Sequence, residues 1–148
     1  MKKNVIGSTL IFILISNLVF AQTDKVEQEN TVKNDEVTGL VVLWTSGEKD
    51  VFTKMVHIYT LNAKKSGWFD DITLIVWGPS AKLLSGDEEL QEMITQLHDS
   101  GITLEACIWC TNQYGITEDL KELKIDVKGM GVPLSAYIKD PTKEVIVF

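Results

Sequence analysis

The chain has 148 residues, with 14 lysines, no arginine and 21 acidic residues, giving a net charge of −7. That length suits one domain with a short appendage, and the acidic balance excludes the basic surface of a nucleic-acid binder. Two cysteines are too few for a disulfide scaffold or a four-sulfur zinc site, and the lack of arginine removes the planar fork used for bidentate phosphate or carboxylate recognition.

Lys2 and Lys3 precede a mainly apolar stretch, residues 5–20, that closes on Val19-Phe20-Ala21. A positive start, an apolar run and a small residue, in that order, predict a secretory signal cleaved after Ala21. A membrane-spanning helix needs about 20 mostly apolar residues, whereas this run is shorter and interrupted by Gly7, Ser8, Thr9, Ser16 and Asn17. Cleavage would leave 127 residues with a net charge of −9 and no membrane attachment. The exported form, periplasmic or secreted, would then meet a compartment in which thiols tend to be oxidised. Residues 22–38 are polar, with Val26, Val32 and Val37 too sparse to make a face, and read as a flexible polar tether. The folded domain is expected over 39–148.

Leu40-Val41-Val42-Leu43-Trp44 is a short apolar run rich in β-branched residues, the pattern of a strand buried on both faces. Residues 50–65 carry Val51, Met55, Ile58, Tyr59, Asn62 and Ala63 at the spacing of a one-sided helix, which Gly67 stops. Residues 72–77 form the second buried strand, closed by Gly78-Pro79-Ser80. Residues 87–100 place Leu90, Met93, Ile94 and Leu97 on one helical face, with Ser85 and Glu88 as a capping box and Gly101 at the far end. Residues 102–108 are the third strand. Thr117 is expected to cap a short helix holding Leu120 and Leu123, and 125–127 to form the fourth strand. Pro133 opens a last short helix, and 145–148 make the fifth strand. Strands alternating with helices predict a three-layer α/β/α domain, flavodoxin-like in outline, around a five-stranded parallel sheet.

Ligands of open α/β sheets sit beyond the carboxyl ends of the strands. Here those ends are Thr45-Ser46-Gly47, Trp77-Gly78-Pro79-Ser80, Cys107-Ile108-Trp109-Cys110 and Gly129-Met130-Gly131. Ser46, Gly47, Gly78, Pro79, Ser80, Tyr114 and Met130 are accordingly the candidate ligand-binding residues. Both cysteines lie on this rim. A strand end that leads into a helix N-terminus lowers a thiol pKa and favours the nucleophilic thiolate. The spacing equally fits an inert buried pair or a small disulfide loop formed on export. Glu105 is the odd residue of the third strand: either it tunes a cysteine or takes its proton, or it is a solvated strand-edge side chain. Trp44, Trp77 and Trp109 either wall an apolar pocket or pack in the core. His57 and His98 lie in helices away from the rim, so no metal site is expected. The glycine loops and serine elbow of nucleotide binders and hydrolases are missing, and no cofactor is expected.

Several segments together carry a family likeness. They are Leu43-Trp44-Thr45-Ser46-Gly47, Lys65-Ser66-Gly67-Trp68-Phe69-Asp70-Asp71, Trp77-Gly78-Pro79-Ser80-Ala81-Lys82-Leu83-Leu84, Glu105-Ala106-Cys107-Ile108-Trp109-Cys110, Tyr114-Gly115-Ile116 and Met130-Gly131-Val132-Pro133-Leu134. Through them 39–148 resembles the DsrE/DsrF-like family of bacterial sulfur-relay proteins. The resemblance implies a parallel five-stranded α/β/α domain and a homo-oligomer, commonly a trimer or hexamer. It also implies a cysteine after the third strand that accepts sulfane sulfur as a persulfide from a donor protein and passes it to an acceptor. Cys107 falls on that position, and Cys110 matches a second cysteine of one branch. Unlike cytoplasmic relay members, this chain has an export signal and lacks basic residues after the cysteine. Those departures argue against their tRNA-thiolation and sulfite-reductase partnerships.

Overall fold

The computed structural model describes residues 36–148. The predicted export signal, and all of the tether except 36–38, lie outside the described residues.

The sheet contains β1 (Gly39–Trp44), β2 (Asp71–Val76), β3 (Thr103–Cys107), β4 (Asp126–Lys128) and β5 (Lys143–Val147). Every pairing is parallel, and the spatial order is β4-β3-β2-β1-β5. The connecting helices are α1 (Lys49–Val51), a π-helical turn (Phe52–Val56), α2 (His57–Lys65), α3 (Pro79–Ser85), α4 (Glu88–Asp99), α5 (Ile108–Tyr114), α6 (Thr117–Glu122) and α7 (Gly131–Lys139).

The topology explains the layers. From β1 to β4 the chain steps steadily in one direction, so right-handed crossovers put α1 to α6 on one face. The return from β4 to β5 runs the other way and sends α7 to the opposite face. Strand alternation then makes two unequal cores. Leu40, Val42, Trp44, Leu74, Val76 and Leu104 join the helices of the crowded face in the larger one. Val41, Ile75 and Cys107 face the other way, under Met130, Leu134 and Tyr137.

Four local expectations are corrected. The first helix buries a different face from the one its spacing predicts. Phe52, Val56, Thr60, Leu61 and Ala63 point inward, while Met55 and Ile58 are each 49% exposed and Asn62 is exposed. Phe52 stacks on Trp44 with centroids 4.3 Å apart. The wide turn that follows then offsets the helical phase. The outward residues Met55, Ile58 and Tyr59 line an open groove of about 330 Å³ with Trp68 and Phe148. Second, Asp87, not Ser85, caps α4: its side chain accepts the Leu90 N–H at 3.2 Å. The Ser85 hydroxyl donates back to the Lys82 carbonyl instead. Third, Thr117 is not a cap, because its hydroxyl is taken up by the side chains of Asn112 at 2.7 Å and Thr111 at 2.9 Å. The fourth strand also starts one residue late. Lys124 has φ +60, and the Ile125 N–H still bonds the Leu120 carbonyl of the helix end. Lys128 therefore falls inside β4, in register with Cys107.

Candidate functional site

The helices that follow β3 and β4 lie on opposite faces, so the chain parts above the carboxyl ends of these two strands. That divergence is where open α/β sheets form ligand crevices. Cys107 ends β3 there and is the extended residue preceding α5. Its side chain is 3% exposed and packs in the smaller core with Met130. Cys110, one turn into α5, is half-buried, and both cysteines are free thiols. Burial, then the neighbouring Cys107, push the Cys110 thiol above its ordinary pKa; the backbone N–H of Gly78 opposes them.

Gly78 opens the second rim loop, next to the thiols. Its φ of 72° and ψ of −130° lie in a region that residues with a Cβ rarely enter. Gly78→Ala is expected to cost about 1–3 kcal/mol of stability and to turn the N–H away from Cys110. Urea melts check the first effect. A rise in the pH midpoint of Cys110 alkylation checks the second.

The other predicted rim residues divide by what they touch. Gly47 abuts the second loop: a Cβ built there would stand 3.2 Å from that of Pro79. The Ser80 hydroxyl is fully buried and committed to the backbone, donating to the Trp44 carbonyl at 2.7 Å and accepting the Trp77 N–H at 3.0 Å. It ties β1 to β2 and has no free face for a ligand. The Ser46 hydroxyl accepts the Glu48 N–H within its own loop. Tyr114 is exposed at the end of α5, its ring 5.9 Å from the Lys82 ammonium. Met130 is fully buried and supports Cys107. Of the three tryptophans near strand ends, Trp44 is core, Trp77 borders the smaller core and Trp109 is 74% exposed beside the thiols. Among the described residues no group of three metal-ligating side chains occurs.

Glu105 is not a solvated edge residue. Its side chain is 4% exposed, and Oε1 accepts from the Lys128 ammonium at 2.7 Å and the Tyr137 hydroxyl at 3.1 Å. Lys128 also binds Asp126 at 2.7 Å. The two carboxylates hold its ammonium well above the usual lysine range. Burial, followed by the Glu105 charge, raises the Tyr137 pKa. Neither Lys128 nor Tyr137 is evident as a site residue in the sequence. Alternation along β3 puts Glu105 and Cys107 on one face, but the partners come from β4 and α7, whose register only the fold supplies.

Residues 47–148 match the model of the DsrE/DsrF-like family. A solved structure of a conserved protein of unknown function, BT1422 from Bacteroides thetaiotaomicron, is similar at 37% identity with a TM-score of 0.71, covering 74% of this chain and 94% of that one. The ychN protein of E. coli is similar in fold, at 14% identity and a TM-score of 0.55, over 75% of this chain and 98% of that one. No match was found among curated proteins.

Proposed function

Because the chain belongs to the DsrE/DsrF-like family, we propose that it is a sulfur carrier that holds sulfane sulfur as a persulfide on Cys107. The observation that carries this reading is a pair of free thiols where β3 and β4 diverge, next to the Gly78 turn. Loading transfers the outer sulfur of a donor persulfide: Cys107 Sγ bonds to it, the donor S–S bond breaks, and the donor leaves as a thiol carrying the proton Cys107 gave up. Cys110 is the more open thiol. Its attack on Cys107 Sγ would release the outer sulfur as hydrogen sulfide and close a disulfide that an external dithiol must then reduce.

Export, with cleavage after Ala21, belongs to the same proposal and rests on the sequence of the first 21 residues. No helix among the described residues is long and apolar enough to cross a membrane. Assembly into a trimer or hexamer is part of the same proposal and rests on the family resemblance.

The test is incubation of the full chain with a persulfide donor, read by intact mass. Wild type should gain one sulfur atom; no gain would overturn the reading. A second reading, a binding module for a small ligand or a protein, is favoured by the exposed Trp109 and requires neither thiol. The double variant Cys107→Ser/Cys110→Ser would then keep its binding. A third, a periplasmic thiol–disulfide exchanger, needs a dithiol that cycles with a measurable potential. Free-thiol titration of the freshly exported protein separates these: two free thiols fit the carrier, and a locked disulfide opposes it.

A further inference from the structure

The carboxylate below Cys107 is only half satisfied. Glu105 Oε1 is held by Lys128 and Tyr137, whereas Oε2 is buried without a hydrogen-bond partner. A buried carboxylate oxygen left without a donor is costly, so this geometry calls for one. The titratable and charged groups around it are Lys128 and Asp126 on β4, Tyr137 on α7, and the two thiols. Lys128 and Tyr137 are committed to Oε1, and Asp126 is itself an acceptor paired with Lys128. The thiols remain. Glu105 and Cys107 are alternate residues of one strand and share a face, about 7 Å apart along it. A sulfur atom added to Cys107 extends the side chain by about 2 Å.

Building on the sulfur-carrier reading, we propose that Glu105 Oε2 accepts a hydrogen bond from the terminal S–H of the Cys107 persulfide and keeps the stored sulfur protonated. Protonation decides the direction of transfer. A persulfide anion is a nucleophile, whereas the protonated form is open to attack at its outer sulfur by an acceptor thiolate. In that step a bond forms between the acceptor sulfur and the outer sulfur, and the bond from Cys107 Sγ breaks. The outer sulfur keeps its proton and leaves as the acceptor's persulfide. Cys107 departs as a thiolate and takes a proton from water. No oxidant or reductant is consumed. Lys128 and Tyr137 are positioning residues that fix the carboxylate and leave Oε2 as its free oxygen.

The test uses the full chain carrying Cys110→Ser, with and without Glu105→Gln, loaded with inorganic polysulfide. Iodoacetamide labelling across pH, read by mass spectrometry, gives the midpoint at which the persulfide becomes its anion. The expected result is loading of both proteins, with the midpoint about one pH unit lower in E105Q. Tyr137→Phe supplies a second measurement should E105Q not fold. Losing one donor at Oε1 makes the carboxylate a stronger acceptor, so the midpoint rises. An unmoved midpoint in loaded, folded E105Q, or in Y137F, overturns the proposal and leaves the carrier reading standing. Failure of the Cys110→Ser protein and of wild type to load overturns both.

Discussion

Cys107→Ser is expected to abolish sulfur uptake, while Cys110→Ser still loads one sulfur. The asymmetry follows from position. Cys107 closes β3, faces the smaller core and shares that face with Glu105. Cys110 is only half-buried and packs against the edge of that core, with a thiol pushed up by burial and by Cys107. Sulfur held on Cys107 is also sheltered, since that side chain is 3% exposed. Intact mass after polysulfide treatment and gel filtration reads both variants. Uptake by C107S equal to wild type would remove Cys107 from its role.

Phe52→Ala should destabilise the domain by about 3–5 kcal/mol, the usual range for emptying a buried aromatic site. Phe52 is fully buried against Trp44 and begins the π turn. Truncation leaves a cavity beneath the end of β1, from which the first rim loop departs. Met55→Ala, only three residues along, should change stability by no more than about 0.5 kcal/mol, because Met55 is half exposed. Urea unfolding of both variants reads the contrast. Similar losses in the two would mean that the helix packs in the phase its spacing predicts.

That contrast also marks what could be read from residues alone. The alternation of apolar strands with helices was legible because buried parallel strands are short continuous apolar runs, such as Leu40 to Trp44 and Ile72 to Val76. Gly67 and Gly101 stop their helices as expected, with φ of 64° and 82°. The phase of the first helix was not legible: a π turn leaves composition unchanged and shifts which residues face inward. The helix over Pro79–Ser85 was also missed, because Gly78-Pro79-Ser80 reads as a turn until Pro79 is seen at a helix start. At the site, the rim position of both cysteines followed from periodicity and chain order. The partners of Glu105 did not, since pairing Cys107 with Lys128 depends on register between strands far apart in sequence. Ser80 looked available because it stands beside glycine and proline, yet its hydroxyl is consumed by the backbone of two strands.

The proposed carrier stores its sulfur on Cys107. The most direct test is to load the wild-type chain with a persulfide donor, trap it with iodoacetamide, digest it and sequence the peptide spanning Cys107 and Cys110 by mass spectrometry. One additional sulfur, alkylated at its outer atom, is expected on Cys107, with Cys110 alkylated as a plain thiol. Sulfur found on Cys110 alone, or no added sulfur on either residue, would contradict it.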